Sequence, residues 1–476
     1  MKNLMTLKNA MIFCIAGSVI SLTTCVNEAG SYERSLSRIS QAVDNIKIVD
    51  THEHLVTEEG RKQIPKDLFY LMGNYFTADL QSAGMPREDY NFIFNQANQL
   101  SEIWGRFLPY WEKTKNTGYG QCIKITARDL FGIGEINSET YNELDKKLAA
   151  TDTLGWYRHV LREMSGIDVC IIDPLDVYVK MDNNYSDEYF VKVKRFDIFI
   201  QAGERGFNEA GVKTGIKINS FVDYLKAFDT LIYMAVKEER IAGIKSGLAY
   251  SRTLFFDNVP FETAEKIFYR SMIRGERIPA EELKQLQDHL MHHMLGQMNR
   301  YKLPFQIHTG MLAGINGRNP IENTNARLLN NLFARYPDVK FVIFHGSYPY
   351  MAELTNLAKS FPNVYIDMCW MYIISPAASR QYLEEWLFNV PANKIMAFGG
   401  DMGSSVEWVY GHAVLARKII SEVLCKMVKD GYYTEDEAIS IAKMILRENA
   451  INLYNIKKSG DHFYIAERVQ PNPDFN

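Results

Sequence analysis

Cysteine is scarce in this sequence of 476 residues: there are six, and no C-x-x-C pair among them. A disulfide framework is therefore excluded as what holds the fold. A basic excess is missing as well, since 53 Lys and Arg stand against 57 Asp and Glu for a formal charge of -4. With no surplus of cations to neutralise phosphates, nucleic acid is excluded as a natural partner. No repeat of Gly or Pro runs through the chain, which rules out collagen-like and low-complexity structure. No G-x-G-x-x-G turn follows the first predicted strand, so the dinucleotide-binding open sheet loses its main support. The longest early apolar stretch, Ala10 to Ile20, is too short to span a bilayer comfortably.

That short stretch follows Lys2 and Lys8 and precedes small polar residues, the layout of a secretory signal over residues 1–25. Leu22-Thr23-Thr24-Cys25 resembles a bacterial lipobox, in which Cys25 would carry the lipid anchor. The expectation is an exported bacterial protein, periplasmic or at the cell surface, touching the membrane only through Cys25.

After a polar linker over residues 26–45, β-branched runs alternate with amphipathic segments, the pattern of βαβ units and a parallel sheet. Eight strands are predicted: Ile46 to His52, Ile167 to Ile172, Phe196 to Ile200, Ile241 to Lys245, Pro304 to His308, Val339 to His345, Val364 to Asp367 and Ile395 to Phe398. Helical periodicity covers Pro279 to Tyr301, Ile321 to Tyr336, Met351 to Phe361, Pro376 to Phe388, Ser405 to Lys429 and Thr434 to Tyr454. Eight strands with intervening helices argue for a (β/α)8 TIM barrel over residues 46–456, with a polar tail over 457–476. The long connection over 56–165, aromatic-rich around WGRFLPYWEKTKNTGYG, leaves the end of the first strand. It is a candidate lid or substrate-contact subdomain, against a purely structural elaboration.

The chemistry gathers where strands end. IVDTHEHL places His52 and His54 two residues apart, on one face of an extended chain. His308 ends the fifth strand, His345 the sixth, and Asp401 follows the eighth in IMAFGGDM. Strand C-termini are where barrel enzymes keep catalytic groups, and imidazole nitrogen with carboxylate oxygen is a ligand set for a divalent cation such as Zn2+. Bound water would then ionise near neutral pH, with Asp401 as general base and His345 as a further ligand or an oxyanion-side donor. Arg252, Tyr348 and Trp370, just past strand ends, are candidates for contact with a small-molecule substrate, against a loop salt bridge or plain packing. Cys369 reads as core, the helix histidines 289, 292 and 293 as partly solvated, and His412 as a surface or capping residue.

This order of H-x-H, His, His and Asp resembles the amidohydrolase superfamily, and RIAGIKSGLAYSR is similar to its branch of nodulin-like and fungal sporulation-protein-like domains. The resemblance implies one or two divalent metals on His52, His54, His308, His345 and Asp401. It also implies that Lys245 stands where binuclear members carry a carbamylated lysine; a Lys245 that binds a substrate carboxylate is the alternative. FLPYWEKTK and RDLFGI resemble the uronate isomerases more distantly, but Met402-Gly403-Ser404 supplies no arginine beside Asp401. The expected activity is metal-dependent hydrolysis of an amide, ester or lactone. The alternatives are a decarboxylase, a uronate-isomerase-like enzyme, or a non-catalytic surface lipoprotein. Self-association into a homo-oligomer stays open.

Overall fold

The computed structural model describes residues 32–175, 184–314 and 319–467. The leader and lipobox lie outside the described residues. No helix among the described residues is long and apolar enough to cross a membrane.

Eight parallel strands run in chain order around one sheet. They are β1 (Ile48–Glu53), β2 (Ile167–Ile172), β3 (Phe190–Arg195), β4 (Gly243–Ser246), β5 (Phe305–Ile307), β6 (Phe341–Ile343), β7 (Val364–Asp367) and β8 (Ile395–Met396). Ladder pairing joins each strand to the next, from β1 with β2 through β7 with β8. The last edge meets the first without a ladder. There Thr51 N–H donates to Phe398 O (3.1 Å), Asp401 N–H to His52 O (2.8 Å) and His54 N–H to Met402 O (2.9 Å). These bonds bring the barrel almost to closure and do so at its C-terminal mouth.

The third predicted strand is corrected. The apolar run from Phe196 to Ile200 is not a strand: Asp197–Ile200 is a short helix, and the strand is the FVKVKR segment before it. Alternation places Val191, Val193 and Arg195 on one face, the period-2 signal that a hunt for continuous apolar runs passes over. The predicted helix from Ile321 to Tyr336 is broken into two 3-10 turns and the helix Asn330–Arg335. Residues 32–45, read as a linker, are helical and bury Ile39 and Val43, while the tail region forms an antiparallel hairpin, β9 (Ile456–Ser459) with β10 (His462–Ile465).

The segment between β1 and β2 folds as a helical layer that includes Phe76–Ser82, Leu100–Thr114 and Gly118–Phe131. Phe69, Phe76, Phe107 and Trp111 form its aromatic interior. It packs on the helix Val406–Lys429 that follows the β8 loop. The approach is close enough that a Cβ on Gly411 would stand 2.6 Å from Cys122 O, so glycine is required there. A buried ion pair fixes the same contact: Arg61 reaches Glu407 at 2.5 Å, and Trp156 Nε1–H (2.9 Å) and Ser405 Oγ–H (2.9 Å) donate to that carboxylate.

Candidate metal centre

The strand ends bring His52, His54, Lys245, His308, His345 and Asp401 together at the C-terminal mouth, all buried. Three residues following the last strands, His345, Trp370 and Asp401, adopt left-handed backbone (φ 60°, 66° and 59°). Such geometry costs about 1–3 kcal/mol per residue and persists only where surrounding structure holds it. Around Asp401 the hold is visible. Asp50 Oδ1 accepts from Gly400 N–H (3.1 Å) and Glu53 Oε2 from Met402 N–H (2.7 Å), bracketing the aspartate. A Cβ on Gly400 would collide with the Glu53 carboxylate, so glycine lets the loop lie this low.

The outer hydrogen bonds decide which ring nitrogens carry protons. His54 Nδ1 faces Asp173 O (2.8 Å) and His345 Nδ1 faces Cys369 O (3.0 Å). His308 Nε2 faces Met311 O (2.9 Å). A carbonyl only accepts, so each of these nitrogens is the donor. His52 Nδ1 donates to Gln306 Oε1 (3.1 Å), because the Gln306 amide nitrogen is committed to Thr51 O (3.1 Å). In the neutral rings the opposite nitrogens are therefore bare lone pairs, and they face one another. His52 Nε2 lies 3.3 Å from His54 Nε2, and His345 Nε2 lies 2.9 Å from His308 Nδ1. Asp401 Oδ1 adds an anionic oxygen 3.3 Å from His54 Nε2 and 3.6 Å from His52 Nε2. Converging acceptors repel unless a cation sits among them, so this donor set fits a divalent metal. His52, His54 and Asp401 form one group of suitable spacing, and His345, Cys369 and Asp401 a second.

Burial, with Lys245 nearby, holds the His52 and His308 imidazoles well below their usual range, and His345 is drawn down to about 4. All three are neutral at physiological pH, as ligation demands. Burial alone would raise the Asp401 carboxyl; positive charge at the facing imidazoles pulls it well below the carboxylate range, and with those rings neutral it is a cation in their midst that keeps it ionised. Lys245 Nζ lies 3.3 Å from His52 Nε2 and over the Phe344 ring, and burial pulls its amine down to about 8.

A cavity of about 960 Å³ opens over these groups. His54, His308 and Asp401 form part of its floor, with Arg195, Tyr250 and Trp370 on the barrel side and Asn74, Tyr75, Gln81 and Tyr119 from the helical insertion. Tyr75 O–H donates to Asp401 O (2.6 Å) and Oδ2 (3.2 Å), and its ring lies 4.3 Å from Trp370. The insertion thus supplies part of the pocket wall. Of the predicted substrate contacts, Trp370 lines this cavity, whereas Arg252 and Tyr348 are not among the lining residues. Arg252 is clamped to the buried Asp288 at 2.5 Å and to Gln287 (3.0 Å), and Tyr348 is half-buried against the core. His412 is fully buried against Phe398, not at the surface.

Sequence reasoning missed Asp173 and Arg195. Asp173 ends the apolar run of β2 in CIIDP, the same signal that marked the histidines; its Oδ2 takes two N–H bonds from Arg195 (2.7 and 2.6 Å) and lies 3.7 Å from His52 Nε2. Arg195 was hidden by the misplaced third strand.

A nearly closed parallel barrel with His, Lys and Asp at its C-terminal mouth defines a (β/α)8 protein of enzyme type that carries a candidate metal site. The resemblance to the amidohydrolase superfamily holds: the family described as Amidohydrolase matches residues 277–456. Protein fluG of Emericella nidulans is 29% identical over 246 residues, 49% of this chain but 28% of fluG, so the match spans little more than a quarter of that relative. The uronate isomerase of Thermotoga neapolitana is 20% identical over 87% of this chain and 95% of its own length. The crystal structure of glucuronate isomerase from Caulobacter crescentus superposes with a TM-score of 0.74 at 17% identity, covering 91% of this chain and 97% of that one.

Proposed function

We propose that this protein is a metal-dependent hydrolase cleaving an amide, ester or lactone bond of a small anionic molecule. The observation that carries the reading is the two pairs of facing imidazole lone pairs with the Asp401 carboxylate beside them. His52, His54 and Asp401 would hold one divalent cation, Zn2+ by its nitrogen and oxygen donors, and His308 and His345 would contribute to a second. When bound, such a cation supplies Lewis acidity and lowers the pKa of water from 15.7 toward about 7. A Lys245 amine near pKa 8 retains a neutral fraction at physiological pH, the form that reacts with CO2, which supports a carbamate there.

The side chains then divide the work. Asp401 takes the proton of the attacking water as the new carbon–oxygen bond forms and returns it to the leaving nitrogen or oxygen as that bond breaks. Tyr75, by donating to Oδ2, keeps the carboxylate aimed. Arg195 presents a cation to the cavity for a substrate carboxylate, and Trp370 with Tyr75 and Tyr119 offers an apolar wall.

Aldose–ketose isomerisation is the second reading. Arg195 favours it, since it provides from β3 the cation that the sequence does not place beside Asp401, and so does the likeness to uronate isomerase over nearly the full length of that protein. Incubation of the metal-replete enzyme with lactones, N-acyl amino acids and uronates in heavy-oxygen water separates the two. Hydrolysis places the label in the product acid, and conversion of a uronate to its ketose without label uptake overturns the hydrolytic reading.

A further inference from the structure

Cys369 follows β7 and is fully buried. Its Sγ, a ring nitrogen of His345 and a carboxylate oxygen of Asp401 lie within 4.8 Å of one another. Two further features aim this cluster. The Cys369 carbonyl accepts His345 Nδ1–H at 3.0 Å, so the same residue that carries the thiol turns the other His345 nitrogen, as a lone pair, toward the site. Gly399, in the loop leading to Asp401, approaches so closely that a Cβ there would stand 3.0 Å from Sγ, so the thiol and the aspartate loop are held together. Donor atoms bound to one tetrahedral cation at about 2.0–2.3 Å stand roughly 3.3–3.6 Å from one another, inside the 4.8 Å that contains these three atoms.

We infer that Cys369 is a metal ligand, completing with His345 and Asp401 a cation position that takes a thiolate as its third protein donor. The inference rests on the reading that a cation binds at Asp401. On ligation the S–H proton passes to solvent and an S–metal bond forms, with no change of oxidation state. A soft sulfur donor selects Zn2+, Co2+ or Cd2+ over Mg2+ or Mn2+, so the site would discriminate against the hard cations that an all-oxygen and nitrogen centre tolerates.

Cobalt-loaded full-length protein tests this without reference to activity. The expected result is a thiolate-to-cobalt charge-transfer band in the near ultraviolet that disappears in Cys369→Ser and Cys369→Ala while part of the cobalt is retained. Cobalt bound in stoichiometric amount with no such band, or a band that survives in either variant, overturns the thiolate ligand and leaves the histidine and aspartate centre standing. No cobalt bound at all overturns the metal reading itself. Should neither variant fold, X-ray absorption on the zinc-loaded wild-type protein decides: a sulfur scatterer at about 2.3 Å is expected, and light scatterers alone at about 2.0–2.2 Å overturn the proposal.

Discussion

Two imidazole nitrogens 3.3 Å apart, each left without a proton by the acceptor behind the other side of its ring, form a geometry that needs a positive charge to persist. The partners behind the rings therefore matter almost as much as the rings. Gln306 fixes the His52 tautomer from the barrel interior, with its own amide tied to Thr51 O and the Tyr454 hydroxyl (2.9 Å). Gln306→Leu is expected to weaken metal affinity by about 10–100-fold, and His52→Ala more than that, by competition titration with a chelator. Equal affinities in Gln306→Leu and wild type would remove the tautomer argument. Beneath the site Asp367 accepts from Thr51 Oγ–H (3.0 Å) and Cys369 N–H (2.9 Å), and burial pushes its carboxyl up from 3.8 to about 8. A group raised in the folded state stabilises the fold below its unfolded pKa and loses that contribution as pH climbs through the folded one. In metal-free protein the stability of wild type relative to Asp367→Asn should fall between about pH 4 and pH 8, as read from urea midpoints at stepped pH.

At the scale of elements, what was legible in the sequence depended on how each strand is buried. β2 and β7 were found to the residue because they are short, mostly apolar runs with one Asp each, buried between the barrel interior and the outer helices, and the ligands at β1, β5, β6 and β8 because each follows a largely apolar run. β3 alternates instead, so it was displaced onto the neighbouring FDIFI helix, and Arg195 vanished with it. For Arg252 the sequence left a substrate contact and a salt bridge open, and its pair with Asp288 is the second: a cation in the loop after β4 reads the same in sequence whether it turns to the mouth or to Asp288 on the helix Ala280–Tyr301. The insertion was expected as a candidate substrate-contact segment around the stretch that holds Tyr119, but which of its residues reach the site was beyond reading, because nothing local ties Tyr75 or Tyr119 to Asp401, more than 280 positions away. What ties them is the packing of the insertion on the helix Val406–Lys429, and its polar anchor is Arg61 with Glu407. Arg61→Met would leave a carboxylate buried without its cation and should cost about 3–5 kcal/mol in urea unfolding, whereas Arg61→Met with Glu407→Gln should recover a large part of it. A double variant as unstable as the single one would mean that packing of the Arg61 stem, not charge, is what the contact needs.

For the molecule as a whole, the candidate metal centre coincides with the one junction of the barrel that has no strand ladder. Seven ladders join β1 through β8 in sequence, and the β8 to β1 seam rests on the N–H groups of Thr51, His54 and Asp401. His52 and His54 stand on one side of that seam and Asp401 on the other, so a cation shared among them clips the first strand to the last and completes the ring. Anything bound only by the folded state stabilises it by mass action, about 2.7 kcal/mol at a free concentration of 100 Kd. A chain of this length then loses a few degrees in Tm on chelation and regains them when Zn2+ is restored. The loss should also be local. Amide exchange at Thr51, His54 and Asp401 should accelerate in the stripped protein, while the hairpin of β9 and β10, which pairs without help from the mouth, should exchange as before. If stripping the metal leaves the seam amides protected, or loosens the hairpin equally, the cation is a guest of a barrel already closed and the clip is not part of the fold.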